Sequence, residues 1–186
     1  MIHPTALSLG TIIPERRRFK HNTMTTKGKV SLLERGLIWV LIQLVLLCGI
    51  VLIPRDLLGL PAWSDGINIA ARLLGGMILF AGLVLVAISA LYLGTNLTIF
   101  PHPLDDGSLT QSGIYAIVRH PMYAGVILCG WGYGLFVNST PGLVLSLILT
   151  LFFDRKAHFE EARLRAKYPE YDQYQKRVKK LIPFIY

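Results

Sequence analysis

Cysteine is scarce in this sequence: Cys48 and Cys129 are the only two among 186 residues, and both lie within apolar runs. Two thiols so placed give neither a disulfide framework nor a thiolate metal site, and we expect both to be buried free thiols. The histidines are scattered without ligand spacing, and there is no glycine-rich phosphate loop of recognised form. The sequence therefore indicates no metal and no nucleoside triphosphate.

Charge is almost absent from the middle of the chain. The formal net charge is +8, but seven of the 19 Lys and Arg residues precede Gly36 and nine follow Phe153. Basic blocks that flank an apolar region set membrane topology and attract anionic lipid, so a nucleic-acid-binding role is set aside. With 53% hydrophobic residues and a mean hydropathy of +0.50, the sequence is typical of an integral membrane protein.

The uncharged runs predict four transmembrane helices. The first run, residues 36–53, has 18 residues and a helical length of about 27 Å, close to a hydrocarbon core of about 30 Å. The second run covers residues 73–93. The run 121–153 is too long for one span and is broken at residues 138–142. A tight helical hairpin is predicted there, with Thr140 as the N-cap of its second arm.

The second arm of this hairpin is too short to cross a bilayer unless its helix continues to about Tyr168, which places residues 155–161 at the membrane surface. The predicted fold class is an all-α integral membrane protein with about four transmembrane helices and a C-terminal interfacial helical tail. Residues 1–35 are predicted to form a basic arm and residues 36–186 one membrane domain. Because both basic blocks fall on one side, both termini are predicted to be cytosolic.

A polar segment turns into a membrane helix at Pro121. Proline lacks an amide hydrogen and its preset φ suits the first helical turn, while it pushes His120 toward an extended conformation. A helix is therefore predicted to begin at about Pro121, with its positive dipole end facing Tyr115, Arg119 and His120. Such an end can bind a carboxylate or a phosphate. Taken singly, Arg119 also obeys the positive-inside rule, and Tyr115 and Tyr123 are also typical interfacial residues.

This stretch, from Gly113 to Gly125, has the pattern Gly-x-Tyr-x-x-x-Arg-His-Pro-x-Tyr-x-Gly. A second motif reads Glu160-Glu161-Ala162-Arg163-Leu164, followed by Arg177-Val178 and Ile182-Pro183. Together they resemble the signature of the isoprenylcysteine carboxyl methyltransferase family and its phospholipid methyltransferase relatives. The resemblance covers roughly residues 96–183, the predicted catalytic half.

The resemblance implies S-adenosylmethionine-dependent methyl transfer to a lipophilic acceptor at the cytosolic membrane surface, such as the carboxylate of a prenylcysteine. It places the cofactor against Ser108, Leu109, Thr110, Tyr115, His120, Pro121, Met122, Tyr123 and Glu160. A cation one turn before Glu160 would hold the acceptor, and this chain has Lys156 there with Arg155 immediately before it. Both stay candidates for the catalytic cation. The implied partners are the acceptor and the lipid bilayer, with no nucleic acid and no metal.

Two other interpretations stay open. Membrane sterol reductases, which use NADPH, share a Tyr-x-x-x-Arg-His-Pro-x-Tyr element and an aromatic C-terminus, although Glu160-Glu161 fits the methyltransferases better. A non-catalytic helical scaffold accounts for close packing of glycines in the run after Pro121, but not for the clustering of Tyr115, His120 and Glu160. By default, Lys156 and Glu160 four residues apart on a helix form a surface ion pair.

Overall fold

Helices make up the regular structure of the described residues, which are 31–33, 35–57, 59, 63 and 65–186 of this computed structural model. The α-helices, in chain order, are α1 (Leu37–Leu52), α2 (Asp65–Leu93), α3 (Pro121–Phe136), α4 (Thr140–Lys167) and α5 (Tyr171–Arg177). These residues contain no strand, although an isolated bridge pairs Val118 with Lys179. The all-α fold class is confirmed. Most of the predicted basic arm lies outside the described residues.

One helix of the described residues is long and apolar enough to cross a membrane, namely the stretch Gly66–Asn96 that contains most of α2. α1 is a shorter apolar helix of 16 residues. The count of four spans therefore stays a prediction. α2 begins at Asp65, eight residues before the predicted start at 73. The prediction counted only uncharged residues, whereas the first turns of a helix can include a charged residue such as Arg72.

Large apolar side chains cover the outer faces of α1 and α2, among them Leu44, Val45, Leu73 and Phe80. Helices that are apolar on their outer as well as their inner faces are typical of contact with lipid. Cys48 lies among these outward-facing residues of α1 and is exposed. The prediction that both thiols are buried is therefore wrong for Cys48. Cys129 is half-buried.

Two pairs of glycines bring the backbones of α2 and α3 into contact. A Cβ atom on Gly75 would lie 2.7 Å from the carbonyl oxygen of Gly132, and one on Gly82 would lie 2.8 Å from that of Gly125. The partners run in opposite order along the two helices, so α2 and α3 pack antiparallel. All four glycines of α3 between 125 and 134 are buried: Gly125, Gly130, Gly132 and Gly134. Gly125 and Gly132 face α2, whereas Gly130 and Gly134 face α4. Close packing at these glycines is confirmed.

A methyl group at position 132 is expected to destabilise the helix pair. Its Cβ atom would overlap the backbone nitrogen of Leu79 and lie 2.7 Å from the Cα atom of that residue, and this backbone cannot move aside as a flexible side chain can. Overpacking of this kind costs about 1–3 kcal/mol, so Gly132→Ala should lower the thermal midpoint of the detergent-solubilised protein. Gly66→Ala in α2 is the matched control, because nothing lies within 4 Å of its Cβ position. Equal midpoints for the two variants would contradict this packing.

The turn between α3 and α4 forms the predicted helical hairpin. α4 begins at Thr140, but the N-cap is Ser139, whose hydroxyl oxygen accepts a hydrogen bond from the amide of Gly142 at 3.1 Å. The prediction of Thr140 as the cap is therefore wrong by one residue. The hydroxyl of Thr140 instead accepts a hydrogen bond from the indole nitrogen of Trp63 at 3.0 Å.

α4 continues past the uncharged run and ends at Lys167, one residue before the predicted end. It packs against α1 through Trp39, whose ring lies 5.5 Å from that of Phe152 and 5.1 Å from that of Phe159. Beyond Phe153 the inner face of α4 carries charged side chains, so this end of the helix supplies polar groups above the apolar core.

Candidate active site

A cavity with two chambers lies where the loop between α2 and α3 meets the polar end of α4. The outer chamber has a volume of about 520 Å³, and the inner chamber has about 90 Å³. Asn96, Thr98 and His102 are among the residues that line both. Six of the nine residues predicted to hold a cofactor line the inner chamber: Ser108, Leu109, Thr110, Tyr115, His120 and Glu160.

The other three predicted cofactor residues lie behind this wall. Pro121 is buried at the first position of α3, and Met122 beside it is half-buried. The hydroxyl of Tyr123 donates a hydrogen bond to Oε2 of Glu160 at 2.5 Å. The ring of Tyr123 stacks on that of His120, with centroids 5.3 Å apart. Tyr123 therefore orients two residues of the chamber wall.

The loop that carries residues 108–110 is held over the chamber by hydrogen bonds. Oδ1 of Asn96 accepts from the amide of Ser108 at 3.0 Å, and Nδ2 of Asn96 donates to the hydroxyl of Thr110 at 3.2 Å. The hydroxyl of Tyr168 donates to the carbonyl of Gly107 at 2.7 Å. Asn96 and Tyr168 also line the inner chamber, and no spacing in the sequence indicated either of them.

The paired glutamates of α4 lie in different surroundings. The side chain of Glu160 is 25% exposed, whereas that of Glu161 is 1% exposed. Oε1 of Glu161 accepts from Nε of Arg119 at 2.9 Å and from Nε2 of His120 at 3.1 Å. Its Oε2 accepts from the side-chain amide of Gln175 at 3.1 Å. Glu161 therefore organises the site from behind, while Glu160 belongs to the chamber wall.

Opposing effects set the charge of Glu161. Burial raises its pKa, but the hydrogen bonds and charges of His120 and Arg119 outweigh burial and hold the pKa at about 2. The carboxylate is thus a fixed anion above strongly acidic pH. It holds Arg119, His120 and the side chain of Gln175 in place behind the chamber wall.

Arg119 joins the C-terminal segment to the start of α3. Its guanidinium donates to the backbone oxygens of Gln175, at 3.2 Å, and of Val178. Its amide donates to the backbone oxygen of Lys179 at 2.8 Å. Arg119 belongs to the first sequence motif but was not among the predicted site residues. The sequence does not show that its side chain is buried.

The two candidate cations lie in different surroundings on α4. Arg155 is exposed, whereas Lys156 is 1% exposed. Nζ of Lys156 donates to Oε1 of Gln43 on α1 at 2.6 Å and lies 3.5 Å from the backbone oxygen of Ile99. It also lies 5.3 Å from the ring centroid of Tyr123. Buried Lys156 thus contacts three different elements, and Arg155 faces outward.

Lys156 has no carboxylate within 4.0 Å in the part of the chain that the structure describes. The surface ion pair with Glu160 is therefore not formed. Desolvation lowers the pKa of Lys156 to about 8, and the charge of Glu160 raises it only in part. A buried ammonium whose contacts are an amide, a carbonyl and an aromatic ring is costly unless an anion joins it.

A family model described as phospholipid methyltransferase matches residues 70–171. The chain belongs to the phospholipid methyltransferase family. The suspected superfamily is thereby confirmed. The matched region includes most of the walls of the inner chamber but not α1, so the Gln43 contact lies outside the part shared with this family.

Curated relatives of this phospholipid methyltransferase family member are isoprenylcysteine methyltransferases by name. Protein-S-isoprenylcysteine O-methyltransferase of Schizosaccharomyces pombe is 40% identical over 84 residues, which cover 43% of this chain and 35% of that protein. The mouse (Mus musculus) protein of the same name is 36% identical over 85 residues, covering 44% and 29%. A probable one from Oryza sativa subsp. indica is 32% identical over 88 residues, covering 45% of each. The chain matches less than half the length of these relatives.

The fold is similar to that of a solved eukaryotic intramembrane Ras methyltransferase, an isoprenylcysteine carboxyl methyltransferase. The TM-score is 0.56, the match covers 80% of this chain and 52% of that chain, and the identity is 23%. Family and fold together identify an integral membrane protein with the helical architecture of these enzymes.

Proposed function

We propose that this protein transfers a methyl group from S-adenosylmethionine to the carboxylate of a lipophilic acceptor, such as a prenylcysteine, at the cytosolic membrane surface. One observation carries the proposal. The Glu160 carboxylate in the chamber and the buried Lys156 ammonium lie one helical turn apart, and Tyr123 contacts both. An anionic and a cationic subsite this close together suit a cationic cofactor and an anionic acceptor, which must be adjacent for the methyl group to be transferred.

The chamber walls fit the cofactor chemically. Glu160 offers a carboxylate for the ammonium or the hydroxyls of S-adenosylmethionine, and Ser108 and Thr110 offer hydroxyls. Tyr115, Tyr168 and Leu109 line the same chamber and provide flat or apolar surface for a nucleoside. The outer chamber, bounded by the loop that begins at Thr95, adjoins this one and shares Asn96, Thr98 and His102 with it.

Lys156 is the cation that we assign to the acceptor. Its buried ammonium can donate three hydrogen bonds, of which Gln43 accepts one at 2.6 Å and the carbonyl of Ile99 a long one at 3.5 Å, so at least one stays available. An acceptor carboxylate bound there gains a charge-assisted hydrogen bond in a desolvated place. Arg155 is the weaker candidate because its side chain is exposed.

The reaction needs positioning rather than proton transfer. When bound, S-adenosylmethionine would supply a methyl group on a sulfonium; its transfer to a carboxylate would form an O–CH3 bond as the S–CH3 bond breaks, release S-adenosylhomocysteine and need no general base. Lys156 would fix the acceptor carboxylate, Glu160 would anchor the cofactor, and Tyr123, which contacts both side chains, would hold them in register. At this polar end of α4, a polar cofactor would enter from the cytosol and a lipid-soluble acceptor from the bilayer.

Labelled methyl transfer tests this function. Detergent-solubilised protein given methyl-labelled S-adenosylmethionine and an S-farnesylated cysteine derivative should form a base-labile methyl ester, and S-adenosylhomocysteine should inhibit the reaction. Glu160→Gln is expected to bind S-adenosylhomocysteine more weakly than wild type in calorimetry. Label in a phospholipid amine would contradict the carboxylate acceptor. Tight NADPH binding without S-adenosylhomocysteine binding would support a reductase instead.

A further inference from the structure

Among the described residues, Tyr171 carries the one buried side-chain oxygen without a hydrogen-bond partner. Tyr171 is 1% exposed and forms part of the wall of the inner chamber. Buried hydroxyls almost always have a partner, because a desolvated hydroxyl without one is costly. An orphan hydroxyl in the wall of a ligand chamber points to a partner that the folded chain does not supply.

Tyr174 shows how a structural tyrosine behaves in the same place. It lies one turn further along α5, is 2% exposed, and its ring meets that of Tyr171 edge to face at 5.7 Å. Its hydroxyl, however, donates to the backbone oxygen of Tyr115 at 2.6 Å. α5 thus buries two tyrosines equally well and satisfies only one of them, so burial alone does not account for the orphan.

The ring of Tyr171 packs among apolar and aromatic side chains, while the charges of Glu161, Arg119 and Glu160 act on its hydroxyl. Tyr171 belongs to a buried cluster with Tyr174 and Val178, against which Leu109, Leu164 and Tyr168 pack. Walls of this kind suit a flat heteroaromatic ring more than the charged end of an amino acid. Burial, reinforced by the charge of Glu161, raises the pKa of Tyr171. The hydroxyl therefore stays protonated and is available as a donor.

We propose that the Tyr171 hydroxyl donates a hydrogen bond to a ring nitrogen of the purine base of the bound cofactor. Tyr171 is then a specificity-determining residue for the base, while Glu160 serves the polar part of the same ligand. The inference rests on the proposed function, since it takes S-adenosylmethionine as the ligand. It adds a donor from α5 that neither sequence motif marks by its spacing.

Tyr171→Phe tests the proposal because it removes the oxygen and nothing else. Without ligand, the thermal midpoint of this variant should equal or exceed that of wild type, since no hydrogen bond within the chain is lost. The Kd for S-adenosylhomocysteine should rise about tenfold. Tyr174→Phe is the matched structural control: its hydroxyl is bonded to the chain, so this variant should have a lower midpoint without ligand.

Analogues of the base identify the acceptor atom. Among the 1-deaza, 3-deaza and 7-deaza forms of S-adenosylhomocysteine, one should bind wild type about tenfold more weakly than the parent compound, and Tyr171→Phe should show no additional loss with that analogue. A variant that binds S-adenosylhomocysteine as tightly as wild type overturns the proposal, and so does a lower midpoint without ligand. If wild type itself binds no S-adenosylhomocysteine, the proposed function falls as well.

Discussion

Replacing Glu161 by glutamine should destabilise the protein by about 3–5 kcal/mol, the usual cost of removing one partner of a buried ion pair. The variant leaves the guanidinium of Arg119, which is 9% exposed, without its anion. Arg119 also holds the backbone of Gln175 and Val178, so the C-terminal segment should loosen with it. Denaturation of the detergent-solubilised protein measures the loss of unfolding free energy. Proteases should also cleave the segment that follows residue 171 faster than in wild type.

Glu160→Gln is the matched control for this prediction. It makes the same chemical change one residue earlier, at a side chain that is 25% exposed and whose hydrogen bond comes from Tyr123. A glutamine oxygen can still accept that bond, so stability should change little. If the two variants are equally stable, Glu161 does not have the organising role described here.

Low pH should destabilise the folded protein by protonating the carboxylate of Glu161. The pKa of Glu161 falls from an ordinary value of 4.5 to about 2 in the folded protein. Because the folded pKa is depressed, the stabilisation is complete above about 4.5 and is lost as the pH falls from there through about 2. The midpoint of wild type should fall across this window, and Glu161→Gln should lack that part of the pH dependence. If Glu161→Gln and wild type show the same dependence of the thermal midpoint on pH, Glu161 is not the group responsible.

Local chemistry made part of the fold predictable. Proline at position 121 sets the start of α3, and the polar run at 138–142 sets the hairpin, because both act on the backbone within one turn. The early start of α2 was missed since an uncharged run is a poor guide to a helix that tolerates Arg72 at its end. The cap is Ser139 rather than Thr140, and the hydroxyl of Thr140 instead contacts Trp63, which is distant in sequence.

The site was predictable as a set of motifs but not as a set of roles. Glu160 and Glu161 are identical side chains at adjacent positions, so the sequence gives no reason to assign them different roles. The packing of α4 against α3 and the C-terminal segment places Glu160 in the chamber wall and buries Glu161 as an anion. The partner of Lys156 lies 113 residues away on α1, so no local pattern indicates it. Tyr171 lies in neither sequence motif, and only the packing of α5 shows that its hydroxyl is buried without a partner.

Lys156→Met should lower kcat/KM for a carboxylate acceptor about 100-fold, the value of a charge-assisted hydrogen bond in a desolvated place. The Kd for S-adenosylhomocysteine should stay near that of wild type, because Lys156 does not line the cofactor chambers. The folded protein should be at least as stable, since methionine fills the space and removes a buried charge that lacks a counter-ion. Arg155→Ala, at an exposed position on the same helix, should leave all three quantities unchanged.

Two further measurements separate charge from packing at Lys156. Since its pKa is lowered to about 8, the charged form is lost as the pH rises through that value, and acceptor binding should weaken there. Lys156→Arg should not show this loss, because a guanidinium stays charged. Gln43→Glu should raise KM for the acceptor, because a carboxylate held 2.6 Å from the ammonium in place of the amide competes with that of the acceptor. If neither variant alters acceptor kinetics, while Arg155→Ala does, the acceptor carboxylate binds on the outer side of α4 and Lys156 is a structural residue.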